Sequence, residues 1–324
     1  MGDVLLTIPV LQETLRQNPG LRIIFLTRKR FLDYFTGIER LSAVGFDPDG
    51  KHKGITGLIR LCLELRQFRI GKVIDLHGVV RSYVIDSLFI LTLRPVYLIR
   101  KYRKERHKII RGDRTLSLPH TTIRYCQTFI KAGIRSEVSA LPVFPSLSLS
   151  PKNGTIRIGM APLSRHATKN WNPGYVNQLI VRLLSHEGRE IHLFGGAEER
   201  EALNGFVTDR VINEAGVFNP GMELVLMASM DVFLSMDSAN MHLASLAGIP
   251  TVSIWGPTDP KLGFFALGQP GEYSVFAPPD EVDCRPCSVY GEIPCRRKTD
   301  KMLCMDRILP EIVFVRIEEI LKSV

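Results

Sequence analysis

Tryptophan and cysteine are scarce in these 324 residues, with two and six copies, and no long apolar run occurs. A membrane-crossing helix needs roughly 18–20 uninterrupted apolar residues. The nearest candidate, Val79 to Ile99, is broken by Arg81, Asp86 and Arg94. The Met-Gly-Asp start lacks the basic opening and apolar core of a secretory signal, so a soluble intracellular chain is expected. Six cysteines in a chain this long exclude a disulfide scaffold. Internal repeats and low-complexity tails are lacking too. What is present is ordinary for a globular protein: 45% hydrophobic and 23% charged residues. That balance excludes a disordered chain, a collagen-like repeat or a coiled coil. The length suggests two domains.

Charge is unevenly placed. Residues 1–150 carry 25 Lys and Arg against 12 Asp and Glu, whereas residues 151–324 carry 17 against 21. The densest run holds Arg100, Lys101, Arg103, Lys104, Arg106, Lys108, Arg111 and Arg114. Such a field attracts polyanions: nucleic acid, an anionic membrane surface or a phosphorylated substrate. No nucleic-acid-binding motif accompanies it, so no nucleic-acid partner is expected. Four cysteines cluster as Cys284-x2-Cys287-x7-Cys295-x8-Cys304. In an intracellular chain this raises the question of zinc. A second close pair is missing, so reduced thiols packed in a local loop are favoured over a structural zinc. Cys62 and Cys126 sit in apolar surroundings and read as core.

Strand-like and helical segments alternate along the chain. Leu21–Thr27, Lys72–Leu76 and Pro95–Ile99 read as strands, and Lys29–Phe35, Ile55–Phe68 and Val80–Leu91 as helices. The stretch after Pro142, rich in proline and serine, has the composition of an interdomain linker. The alternation then resumes with strands Thr155–Met160, Glu190–Phe194, Asp231–Ser235 and Pro250–Trp255. Helices Pro173–His186, Glu198–Thr208, Met222–Ser229 and Ala239–Ala247 lie between them, and Ile308–Leu321 forms a terminal helix. This predicts an α/β protein of two Rossmann-like domains, residues 1–145 and 146–324, with parallel sheets facing a central cleft. The first domain opens on a turn and helix, Gly2-Asp3 then Val4 to Arg16, where a strand is expected. Its sheet is therefore expected to lack its first strand.

The strongest local signal is Ser235-Met236-Asp237-Ser238-Ala239-Asn240-Met241-His242 followed by Leu243 to Thr251. A strand ends in capping residues, a short helix follows, and Gly248 closes it. The helix N-terminus, with its unpaired N–H groups, suits a diphosphate. Ser238 and His242, four apart, share a face. Asp237 would repel phosphate oxygens, and fits better as a cap or as an acceptor for sugar hydroxyls. Trp255-Gly256-Pro257-Thr258-Asp259-Pro260 ends the next strand.

Together these segments resemble the signature of glycosyltransferase family 9, the ADP-heptose:lipopolysaccharide heptosyltransferases. Gly2 to Val10 is similar to that family's first loop and helix. Asp75-Leu76-His77-Gly78 with Arg81-Ser82, Lys169-x-Trp171 and the tail from Cys304 to Val313 match in order as well. Two departures stand out: the strand before Gly2 is missing, and Ala239 replaces the usual glycine. The resemblance implies a GT-B fold and an inverting transfer that needs no cofactor or metal. It also implies Asp3 as general base and Lys169 facing the diphosphate. A carboxylate ionised at neutral pH can take the acceptor's proton, and an ammonium can offset charge on departing ADP. Read alone, Asp3 could equally cap the helix that follows.

Ser164 and Thr168 add hydroxyls to the donor set, and Gly196 with Glu198 is placed toward adenine or ribose, alongside Asp237, Ser238, Ala239 and His242. Arg81, Arg103 and Lys104 are candidates for an anionic acceptor. The reading is transfer of heptose from an ADP-sugar to the inner core of lipopolysaccharide or a lipid A precursor. Location is expected in the cytoplasm, peripheral to the inner membrane. The alternatives are another nucleotide sugar or acceptor on the same fold, and a non-catalytic nucleotide-sugar- or glycolipid-binding relative.

Overall fold

The computed structural model describes residues 1–138 and 154–323. The linker expected after Pro142 and the domain boundary at 145 lie outside them. Ten strands are defined: β1 (Ile23–Arg28), β2 (Leu41–Phe46), β3 (Val73–Asp75), β4 (Val96–Leu98), β5 (Ile156–Ala161), β6 (Arg189–Leu193), β7 (Val211–Asn213), β8 (Val232–Met236), β9 (Thr251–Trp255) and β10 (Ser274–Phe276). The helices of the first part are α1 (Gly2–Leu5), α2 (Thr7–Gln17), α3 (Gly54–Leu65), α4 (Val80–Leu91), α5 (Arg103–Ile110) and α6 (Thr121–Lys131). Those of the second part are α7 (Pro173–Leu184), α8 (Arg200–Asn204), α9 (Pro220–Met227), α10 (Ala239–Leu246), α11 (Leu303–Asp306) and α12 (Pro310–Ser323).

Two compact units result. The first holds Asp3–Tyr102 and, of the described residues, 119–138; the second holds Arg103–Leu118 and 154–323. The basic segment Arg103–Leu118, assigned by sequence to the first domain, thus packs with the second unit. Leu118 N–H donates to Lys261 O at 2.8 Å, and Lys261 Nζ to Arg114 O at 2.7 Å. Arg106 lies over the rings of Phe264 and Tyr290 and donates to Tyr290 Oη at 2.8 Å. A guanidinium stacked on two aromatic faces is held by its plane as well as its charge.

The second unit is built on one parallel sheet in the order β10-β9-β8-β5-β6-β7. Every residue of β8 and β9 is buried, as a sheet covered on both faces requires. Helices start where the sequence supplies caps: Asn172 accepts Gly174 N–H ahead of Pro173 in α7, and Asn219 accepts Met222 N–H ahead of Pro220 in α9. The core joins Val176, Leu179, Ile180 and Leu183 of α7 to Val313, Ile317 and Ile320 of α12. The chain winds outward from β5 to β7, then returns beside β5 to lay down β8, β9 and β10. The carboxyl ends of β5 and β8 therefore flank the topological switch point, where open α/β sheets bind ligands.

In the first unit β1 pairs parallel with β2 and β3 with β4, as two separate two-stranded sheets. Among the described residues no strand joins β1 to β3. Both pairs pack on α3 and α4 through Leu61, Leu65 and Phe89, which meet Ile24, Leu26, Val44, Phe46, Val73 and Val96. The expected helix Lys29–Phe35 is a 3-10 turn. The expected helix Glu198–Thr208 reduces to a 3-10 turn at Ala197–Glu199 and the five residues of α8.

Candidate functional site

At the switch point, β5 leads into a loop ending in the 3-10 turn Ala167–Lys169, and β8 leads through Asp237 into α10. Lys169 is only 9% exposed. Its Nζ lies 3.3 Å from Asp237 Oδ2, and Thr258 Oγ1 donates to the same oxygen at 2.8 Å. Asp237 N–H donates to Ile254 O at 3.1 Å. Asp237 therefore does not cap α10, as the sequence allowed; its carboxylate is taken up by Lys169 and Thr258. Ser238 holds the N-cap position without a side-chain cap bond, its Oγ lying 3.1 Å from Ser235 Oγ. Among the described residues, the N–H groups of the first turn, from Ala239 on, have no side-chain cap partner. His242 is buried one turn further along.

The lysine is held from the other side as well. Gly291, at φ +80°, lies against its stem, and a Cβ there would meet Lys169 Cγ at 2.7 Å. Thr168 Oγ1 donates to Gly291 O. Ser164 Oγ donates to His166 O at 3.0 Å, and Ser164 N–H to Asn170 Oδ1 at 2.7 Å. Both hydroxyls expected to serve a ligand thus already donate to main-chain carbonyls that shape this loop. Burial, then Lys169 and Arg165, hold His166 below its usual pKa.

At the end of β6, Gly196 N–H donates to Glu199 Oε2 at 2.8 Å, so Glu199 rather than Glu198 is fixed there. Burial pushes the Glu199 carboxyl up. Glu198 is exposed and folds back so that a Cβ at Gly196 would meet its carboxylate at 2.5 Å. Sequence reasoning missed Arg285. Buried between β9 and the tail, it donates to Gly256 O at 3.2 Å and Thr258 O at 3.1 Å, with Asp259 Oδ2 3.5 Å away. It braces the loop that presents Thr258 to Asp237.

Among the described residues, no group of three or more His, Cys, Asp or Glu side chains is arranged to hold a metal ion. The four tail cysteines are free thiols lining one small cavity with Thr168, Pro257 and Arg285. Burial pushes the Cys304 thiol up to about 12.

In the first unit, Asp3 is exposed inside α1, and its carboxylate makes no hydrogen bond among the described residues. Its main-chain carbonyl accepts Tyr125 Oη at 3.1 Å. Asp3 is therefore not a side-chain cap. Asp75 is the scaffold of the next loop: Oδ1 accepts the N–H groups of His77 and Gly78 at 2.7 and 2.9 Å, and Oδ2 accepts Ser82 Oγ at 2.7 Å. Burial holds His77 below its usual pKa; Asp3 and Asp75 oppose this, while Lys101 and Arg28 reinforce it. Asp3, Arg28 and Lys101 thus all act on His77. Arg81 is exposed in the first turn of α4. Arg103 and Lys104 are exposed on α5, in the second unit.

A parallel sheet wound outward from β5 in both directions, with a cation and a helix start at its switch point, has the fold of the GT-B glycosyltransferases. Residues 133–270 match the model of glycosyltransferase family 9 (heptosyltransferase). Lipooligosaccharide heptosyltransferase 2 of Haemophilus influenzae is 29% identical over 60% of this chain, a match spanning 65% of that relative's own length. Lipopolysaccharide heptosyltransferase 1 of Pseudomonas aeruginosa is 29% identical over 99% of this chain and 95% of its own. The solved ADP-heptose lps heptosyltransferase II of E. coli superposes with a TM-score of 0.69, covering 99% of this chain and 96% of that one. At 17% identity, that likeness speaks for the fold. The sequence similarity is thus to glycosyltransferase family 9, carried by residues 133–270 and by relatives at 29% identity.

Proposed function

We propose that the protein transfers heptose from ADP-heptose to the inner core of lipopolysaccharide or a lipid A precursor, with inversion at the sugar. The observation that carries this reading is the buried Lys169 ammonium beside the uncapped start of α10. One fixed cation and a fan of N–H donors suit a diphosphate leaving with negative charge. In this reading Lys169 supplies the cation that a divalent metal supplies elsewhere, and no metal is needed. Ser238, Ala239 and His242 line the diphosphate side, and Gly196 and Glu198 the nucleoside side.

Asp3, exposed and with a carboxylate that makes no hydrogen bond among the described residues, takes the proton of the acceptor hydroxyl as that oxygen attacks. A single displacement assisted by one base inverts the anomeric carbon and leaves no covalent intermediate. Arg81 draws the anionic acceptor toward the first unit, and Arg103 and Lys104 act from α5. A lipid-linked acceptor sets the work at the cytoplasmic face of an anionic inner membrane. The relatives' names, with ADP-heptose and lipopolysaccharide in them, support the choice of donor and acceptor.

The test is nucleotide protection followed by turnover. ADP at about 100 times its Kd adds about 2.7 kcal/mol to stability, roughly 5–10 °C in Tm for a unit of this size. UDP is expected to protect less. ADP release from ADP-heptose with de-heptosylated lipopolysaccharide is the expected activity. Equal protection by UDP would refute the adenine preference, and no ADP release with any lipopolysaccharide acceptor would refute the transfer.

A further inference from the structure

Two helices of the first unit carry large apolar side chains into solvent. On α3 these are Ile55, Ile59 and Leu63, spaced four apart on one face and 68%, 43% and 54% exposed. On α4, Val80, Tyr83, Ile90 and Leu91 share the outward face, with Leu91 at 79%. Leu93, just beyond, is 92% exposed and sits at φ +59°. A left-handed position after a helix ordinarily takes glycine, because a side chain there is strained. Leu93 thus bears both backbone strain and full hydration.

The inner faces of α3 and α4 are already spent on the shared core of Leu61, Leu65 and Phe89. The outer stripes are therefore surplus to folding. The exposed charged residues of 53–100 are all basic. Arg60, Arg66 and Arg94 are exposed, whereas the acids of residues 53–100 are Glu64, half-buried and paired with Lys51, and the buried Asp75 and Asp86. Apolar residues that project beside arginines, without an exposed carboxylate, complement an anionic bilayer surface.

We infer that the outer face of α3 and α4, with the Leu91–Leu93 tip, is the surface by which this protein docks on an anionic membrane. The basic run on α5 lies in the other unit and is not required for it. The inference rests on the lipid-linked acceptor proposed above, but its test needs no sugar transfer.

The full chain is sedimented with vesicles of phosphatidylcholine containing a quarter phosphatidylglycerol, and with pure phosphatidylcholine. Binding is expected on the anionic vesicles, weakened at least about tenfold in L91E/L93E and weakened by salt in the parent. Far-UV circular dichroism and Tm check that the variant folds, and ADP protection, expected to be unchanged, keeps the donor site apart from the result. Equal vesicle binding by parent and folded variant would overturn the inference, as would no binding by the parent. So would a parent that dimerises where the variant is monomeric, since a second copy would then own this face. Loss of ADP protection in the parent itself would count against the proposed function and leave the vesicle result standing.

Discussion

The pairing of Lys169 with Asp237 can be tested by a double-mutant cycle. At 3.3 Å, two unit charges attract by roughly 5 kcal/mol at an effective dielectric near 20. Stripping both from water consumes much of that. Removing one partner is the harsher event, because the other charge stays behind. K169M leaves Asp237 with Thr258 Oγ1 as its remaining side-chain donor, and should cost about 2–4 kcal/mol. D237N strands an ammonium 11% exposed, and should cost about 1–3 kcal/mol. The double variant should fall short of the sum by about 1–3 kcal/mol.

The assay is convenient because the chain's two tryptophans, Trp171 and Trp255, are both buried in the second unit. Their fluorescence in guanidinium therefore follows that unit alone. ADP binding should separate the partners that stability groups together. K169M should weaken ADP about tenfold to a hundredfold, whereas D237N, by releasing the ammonium, should leave ADP binding equal or tighter. Additive stabilities would refute the pairing. Weaker ADP binding in D237N would show that Asp237 serves the nucleotide-sugar directly.

D3N should leave melting near that of the parent and lower kcat at least about a hundredfold, since asparagine accepts no proton; single-turnover kinetics checks this. Burial, then Asp75, push the Asp86 carboxyl up to about 7. Folded chains thus hold a proton there between about pH 4 and 7 that unfolded chains have released, so stability falls as pH rises through that window, by up to about 4 kcal/mol. D86N should flatten that slope and be the more stable form at pH 8, measured by circular dichroism in denaturant. R285L should cost about 3–5 kcal/mol by leaving Asp259 without its buried guanidinium and the carbonyls of Gly256 and Thr258 unpaired. It should also reduce ADP protection, because Thr258 loses its brace.

Legibility followed the range of the forces involved. The strands at Val232–Met236 and Thr251–Trp255 were plain because central parallel strands are continuous apolar runs. Leu41–Phe46 was missed because serine and glycine break its pattern; β7 and β10 were missed as well. The helix expected at Glu198–Thr208 ran too long: the chain leaves α8 at Gly205 to form the Thr208–Val211 bridge. At the site, Lys169 and Asp237 stood out through family motifs, but their mutual pairing did not. Arg285 and Gly291 lie in an irregular segment, and their roles depend on contacts 27 and 123 residues away along the chain. The same holds for α5, whose charges were legible and whose partner was not.

That placement of α5 also governs the order in which the molecule is completed. Arg106 leaves the ribosome 184 residues before Tyr290, the residue it donates to. At 5–20 residues per second, the interval is roughly 10–40 s. For most of it, the stretch from Arg103 to Leu118 waits without Lys261 or Phe264, and for all of it without Tyr290. A hydrophobic segment in that position would invite misassembly; one crowded with arginine and lysine repels its own kind and stays hydrated. Dense positive charge therefore suits a stretch that must wait for its partners. The second unit closes only when the last hundred residues arrive, so its folding cannot be finished domain by domain from the N-terminus.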